Sequence, residues 1–329
     1  LALTWIAVTP SVDHLGALYA AVFVAGLARG FADPAASAFE AQVVPRELYV
    51  NASTWSGSVW QATSILGPAL GGVIYAGWGA AAAYGWVAGL LALSGLSMAL
   101  IRPKPLPVVS HTESIWSSIA AGVRYVWHHQ VLLGSMALDL FAVLFGGAVA
   151  LLPIFASDIL RVGPSGLGLL AAAPAVGALA SMLWTARRPP VRHAGRLLLT
   201  AVAGFGLAML VFAWSRVFWL SLAALAVSGL CDGLSVVIRE TILRLHSPDA
   251  LRGRIAAVSW IFIGSSNEIG AFESGLAAGW LGPVPAVWLG GLVTLLVVAV
   301  TAVAAPELRA LHLDPAAPAP AAGPAAEPG

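Results

Sequence analysis

Nine apolar runs, each long enough to cross a bilayer, leave this chain few ways to fold. They lie at roughly 15–44, 54–77, 79–101, 131–155, 165–186, 195–214, 217–246, 255–280 and 283–305. About 20 mainly apolar residues in a helix cross the hydrocarbon layer, and irregular backbone is not tolerated against lipid. Each run therefore reads as a membrane helix, and the two longest, 15–44 and 217–246, must tilt or project beyond the bilayer. Core helices of a large soluble protein would carry polar stripes, which most of these runs lack. Composition agrees, with 59% hydrophobic and 9% charged residues against roughly 45–50% and 25% in a soluble domain. The 13 Trp and 5 Tyr suit interfacial belts. A net charge of +1 gives no reason to expect a nucleic-acid partner, and Cys231, the single cysteine, cannot form an internal disulfide.

The runs are not independent, because one phrase is written twice. Gly26-Leu27-Ala28-Arg29-Gly30 returns 203 residues later as Gly229-Leu230-Cys231-Asp232-Gly233. At the same offset Pro45 and Leu48 fall on Pro248 and Leu251, Gly67 on Gly270, and Gly72 on Gly275. The chain thus contains a repeated half-molecule whose copies differ in charge, with Arg29 standing where the second copy has Asp232. The opening run, Leu1 to Val8, is too short to span and lacks the basic start and cleavage site of a signal peptide. It reads as the end of a helix cut by the fragment boundary. The expected fold is all-α and polytopic: two six-helix bundles, with the first two helices and most of the third absent.

The longest interruption, Arg102 to Gln130, opens on Arg102-Pro103-Lys104-Pro105-Leu106-Pro107, a semi-rigid extended piece. Ile115, Ile119, Val123, Val126 and Trp127 then recur at helical spacing, which suits a helix lying in the membrane interface. Four regions result: a remnant of the N-terminal bundle at 1–101, a central cytoplasmic loop with that interfacial helix at 102–130, a C-terminal six-helix bundle at 131–305, and an Ala/Pro/Gly tail at 306–329 expected to be disordered. If the loops at 45–53, 102–130, 187–196 and 244–254 and the C-terminus share one side, that side holds twelve Lys and Arg against two, Arg161 and Arg216, on the other. This places the first set in the cytoplasm.

Ionisable residues inside spans are expensive and usually face an interior cavity. Arg29 and Asp33 stand at i and i+4 on the 15–44 helix, with Ser37 and Glu40 extending their face. Asp232, Ser235 and Arg239 form the matching stripe on 217–246, with Glu240 beside it. Charges so spaced can also pair within their own helix as structural glue. Asp139, alone on the 131–155 helix, must pair across a helix interface or face water. Glu268 and Glu273 lie well inside 255–280; Glu268, with Asn267, reads as the deeper and as a candidate for physiological proton exchange, or else as a hydrogen-bonded packing residue. Finally, Gly67, Pro68, Gly71 and Gly72 would strip one helix face of side chains and permit a bend. No phosphate-binding Gly-x-x-x-x-Gly-Lys-Ser/Thr loop occurs, so ATP is not the expected driver. No HExxH pair occurs either, and His128-His129 lack neighbouring ligands, so neither a metal nor a cofactor is expected. An enzyme is the poorer reading.

From Leu1 to about Arg309 the chain resembles the major facilitator superfamily. Ser64 to Gly72 resembles the fifth-helix glycine-proline motif of its proton-coupled exporters, and Gly26 to Ala35 the fourth-helix motif whose arginine is linked to proton coupling. Arg29 to Ala35, Val44 to Leu48 and Ser247 to Arg254 are similar to the branch of enterobactin exporters and drug and macrolide efflux proteins. The resemblance implies alternating access by two rocking bundles around a midplane site. It also implies that Arg29, Asp139 and Asp232, on cavity-lining helices, look inward. The expected function is proton-coupled export of a small, amphipathic or aromatic-bearing molecule by a monomer in the cell membrane. In that mechanism protonation of Asp139, Asp232 or Glu268 weakens bonds to Arg29 or Arg239 and shifts the balance of inward-open and outward-open states. The alternatives are a facilitator or importer without proton coupling, and a non-transporting membrane receptor.

Overall fold

In the computed structural model the described residues are 15–44, 48–101, 115–146, 148–188, 193–248 and 251–313. They fall into two compact units, Leu1–Ser110 with Gly163–Gly168, and His111–Val162 with Leu169–Gly329. The expected stub at Leu1–Val8 and most of the Pro-rich linker, 102–114, lie outside the described residues.

The first unit contains α1 (Leu15–Val43) and the long α2 (Tyr49–Ala99). α2 is two helices joined at Gly79, whose φ of 80° and ψ of 177° belong to a region open essentially to glycine alone. Its polar side chains are satisfied internally: Ser58 donates to Thr54 O at 2.7 Å and Ser64 to Trp60 O at 2.8 Å. Trp55, Trp60, Trp78 and Leu91 are exposed. A helix whose apolar groups point outward while its hydroxyls bond its own backbone is built for lipid rather than water.

The second unit runs through α3 (Ile115–His128), α4 (Gln130–Gly146), α5 (Gly163–Arg187, from Leu169), α6 (Ala194–Trp214), α7 (Phe218–His246), α8 (Arg252–Leu281), α9 (Pro283–Ala304) and α10 (Pro306–Ala310). After α4 the chain winds irregularly through a 3-10 turn at Val149–Leu151 and a wide π turn at Phe155–Ile159. The expected straight helix to 155 is therefore broken, and the span continues to Ile159. Among the described residues seven helices are long and apolar enough to cross a membrane. They correspond to eight of the nine runs, since Thr54–Ala99 covers two; within α1 the apolar stretch is the shorter Gly16–Ala32.

The duplication is visible in the backbone. α7 begins and ends 203 positions after α1, and α8 begins 203 after α2. Gly282, 203 after Gly79, repeats its conformation with φ 90° and ψ 159°.

Leu132, Leu138, Leu198, Ile238, Ile255 and Leu308 belong to one core cluster that draws on α4, α6, α7, α8 and α10. Leu308 corrects the expectation of disorder from Pro306. Residues 306–310 are helical, Leu308 is fully buried, and Leu313 is 3% exposed. The five-residue helix docks because Gly195 has no side chain, so the Leu308 carbonyl occupies the space a Cβ would need. Gln130 fastens it, accepting from the Glu307 amide at 3.3 Å and donating to Ala304 O at 3.4 Å. α3 forms as its periodicity predicts, with one difference in facing. Val126 and Gly122 pack inward, Gly122 against the Arg254 carbonyl on α8, whereas Val123 and Trp127 are exposed. The exposed tryptophan suits the interfacial position expected for this helix.

Candidate functional site

α7 places Asp232, Ser235 and Arg239 at i, i+3 and i+7, on one face. α4 brings Asp139 to meet them. Arg239 Nη1 and Asp139 Oδ2 form an ion pair between the two helices, which answers the sequence's question of where Asp139 finds a partner. The pair is shielded, with side-chain exposures of 13% and 8%. Among the described residues the buried Nε of Arg239 has no hydrogen-bond partner, so the guanidinium is held by one edge. Glu240 points elsewhere, 4.0 Å from Arg244 one turn on. That exposed pair contributes little.

Two voids adjoin the ion pair. The smaller, about 10 Å³, is bordered by Asp139, Val143, Val202, Phe205, Asp232 and Ser235. That is about the space of one water. The larger, roughly 190 Å³, is bordered by Val143, Phe205 and Asp232 again, together with Leu225, Met209, Ser228 and Asn267. Asp232 thus stands between the paired carboxylate and the larger cavity, and it has no ion-pair partner of its own among the described residues. The cavity owes its shape to close helix crossings. At Gly229 the space of a Cβ is filled by the Pro174 carbonyl of α5, and at Gly177 by the Ala226 carbonyl of α7.

α8 reverses one expectation. Ser266, Gly270 and Ser274 are buried and mark its packed face at i, i+4 and i+8. Glu268 falls on the opposite side and is exposed, while Glu273, at the edge of the packed face, is half-buried. Glu268 is therefore not the deeper of the two, and the α8 residues that border the cavity are its neighbour Asn267 with Gly270 and Ala271. The side chains of Arg29, Asp33, Ser37 and Glu40 lie outside the described residues. Of the glycine-proline motif, Gly67 and Gly71 face open space. Gly72 makes the close approach, its Cβ position lying 2.8 Å from Gly168 Cα, and a Cβ on Gly168 would meet the Pro68 carbonyl at 2.5 Å. Ser228, Phe205 and Met209 escaped the sequence reading, whereas Asn267 was singled out there beside Glu268. Only the place of Ser228, one turn before Asp232, could have suggested it.

A second polar cluster gathers where α3 meets α4. His129 sits 5.8 Å from the Tyr125 ring and 5.7 Å, edge-on, from His246 at the end of α7. The Tyr125 hydroxyl donates to His246 O at 3.2 Å. Burial lowers the pKa of His129 from its usual 6.5; the charge of His246 acts in the same direction and Glu307 opposes both. The unfolded chain therefore binds this proton at a higher pH than the folded one, so stability at the junction falls as pH drops below about 6.5. Hydrogen-exchange protection at residues 126–131, after division by the pH-dependent intrinsic exchange rate, should fall between pH 7.5 and 5.5, and His129→Gln should flatten the dependence; an unchanged profile in the variant would assign it to another group.

A family-wide sequence profile described as "transmembrane secretion effector" matches residues 2–326. The chain belongs to that family, within the major facilitator superfamily. Among individual proteins it is 28% identical to the multidrug efflux pump Tap of Mycolicibacterium fortuitum over 254 residues, 76% of this chain and 61% of that one. It is 27% identical to the enterobactin exporter EntS of Citrobacter koseri over 258 residues, 78% and 61% of the two chains. The EntS of Shigella boydii serotype 18 gives 26% over 276 residues, 83% and 65%. The chain thus spans less than two thirds of the length of these relatives. They are transporters rather than enzymes, and the chain is a multi-pass membrane protein of their type.

Proposed function

We propose that the complete protein is a monomeric secondary transporter in the cell membrane, C-terminus cytoplasmic, which exports a small molecule by alternating access using the proton gradient. The observation that carries this reading is the Asp139–Arg239 ion pair beside a water-sized void shared with Asp232, which in turn borders a larger cavity. Intramembrane charges held in such a place mark ion and substrate paths. A proton arriving at Asp232 has one water's distance to Asp139, and neutralising Asp139 releases Arg239. That exchange supplies the differential interaction a two-state transporter needs. A void reaching Asp139 also counts against a purely structural membrane partner. Arg29 enters through the repeat, as the cationic mate of Asp232.

Full-length protein in proteoliposomes, given an imposed pH gradient and a panel of siderophores and antibiotics, should accumulate at least one compound. Asp232→Asn and Arg29→Gln should each abolish that accumulation without impairing membrane insertion. Full activity in both variants would reject proton coupling through these residues. Transport that survives collapse of the gradient would favour the facilitator.

A further inference from the structure

The polar groups that line the larger cavity are mainly acceptors. Asp232 offers a carboxylate. The Ser228 hydroxyl donates its one proton to Leu225 O at 2.7 Å, which leaves its oxygen as an acceptor. The Asn267 amide nitrogen spends one of its two N–H groups on Ile263 O at 2.8 Å, which leaves its carbonyl oxygen as an acceptor beside one remaining N–H. Around these three acceptors the wall is apolar, with Val143, Phe205, Met209 and Leu225 among its residues. Among the described residues Arg239, which shares the Asp232 face of α7, is paired to Asp139.

From this arrangement we infer that the cavity between α4, α5, α6, α7 and α8 binds the ammonium end of an amine whose body is a single apolar ring. The inference deepens the export reading and rests on it. An ammonium group has three N–H donors and no acceptor, the complement of a carboxylate and two oxygens. A carboxylate in an apolar wall also turns away anions, because two like charges at low dielectric repel strongly. Size sets the rest. A dry cavity of about 150 Å³ accepts benzene, so roughly 190 Å³ accommodates one ring with a short charged arm. A larger substrate would place only such an end group here.

The test uses the full-length chain in lipid nanodiscs and three probes of one shape: 2-phenylethylamine, protonated at pH 7, the uncharged 2-phenylethanol, and the anionic phenylacetate. Calorimetry should show the amine binding most tightly and phenylacetate not at all. Asp232→Asn should weaken the amine by at least about tenfold, the worth of a hydrogen bond to a charged group, and leave the alcohol unchanged. Should Asp232→Asn fail to fold, Met209→Phe, which narrows the cavity, should weaken amine and alcohol alike. No amine binding to the wild type, equal binding of phenylacetate, or an amine affinity indifferent to whichever variant folds overturns the assignment. Amine binding as expected in a preparation that transports nothing under a pH gradient would sink the export reading and leave the site standing.

Discussion

Arg239→Ala is expected to cost the protein about 3–5 kcal/mol of stability, the usual penalty for leaving one member of a buried ion pair without its partner. The estimate applies because both side chains are shielded, at 13% and 8% exposure; a surface pair would be worth at most about 1 kcal/mol. Asp139→Ala should cost a similar amount, since the stranded guanidinium already has an Nε without a hydrogen bond among the described residues. The informative variant is the double replacement Asp139→Leu with Arg239→Met, which removes both charges at similar volume. It should recover most of the melting temperature lost in either single variant, because a packed apolar pair is often as stable as a buried ionic one. It should not recover proton-driven accumulation. Melting curves of the four proteins in detergent, read beside proteoliposome transport, separate the pair's structural role from its proposed role in coupling. Transport by the double variant would show that the charges serve packing alone.

Gly229→Ala and Gly177→Ala are expected to be among the most damaging single added methyls in the second unit's interior, together with Gly195→Ala and Gly290→Ala, whose new Cβ would likewise overlap a backbone carbonyl. At Gly229 the new Cβ would overlap the Pro174 carbonyl, with Pro174 Cα at 2.5 Å; at Gly177 it would overlap the Ala226 carbonyl, with Leu230 N at 2.6 Å. These are backbone atoms of α5 and α7, which cannot swing aside like the end of a side chain. Relief requires the two helices to part. Overpacking a core costs about 1–3 kcal/mol when side chains absorb it, and the loss here should lie at or beyond the upper end. Since Pro174 and Gly229 both border the larger cavity, parting the helices would also distort it. Gly264→Ala is the control, with nothing within 4 Å of its Cβ position and a helix interior that favours alanine by up to about 1 kcal/mol. Equal melting temperatures for Gly229→Ala and Gly264→Ala would mean the crossing is looser than described.

How much of this was legible in the sequence differs from feature to feature. The helices were, because lipid leaves no other structure for long apolar runs, and the interior of α2 shows what that means for its hydroxyls. The duplication was as well, since glycines at crossings and joints cannot drift without cost. The partner of Asp139 was not. Spacing along one helix suggests pairs at i and i+4, such as Arg239 with Ser235, but nothing in a linear sequence says which residue of α4 faces which of α7. Glu268 misled for a related reason: in a helix apolar on all sides, depth along the axis says nothing about which way a residue turns, and the packed face of α8 is marked by small residues instead of large apolar ones. α10 was missed because five residues carry too little periodicity to register. Its anchor depends on Gly195, more than a hundred positions earlier in the chain.

The paired joints at Gly79 and Gly282 have a further meaning. Each stands 53 residues beyond the first glycine of its motif, Gly26 or Gly229, so the long helix, the connection and the following helix were copied as a cassette, bend included. Two such cassettes keep a common length even though their charges have diverged. Change within each half has evidently been free to alter what its inner surface carries, while the spacing that sets where the chain turns back has been held.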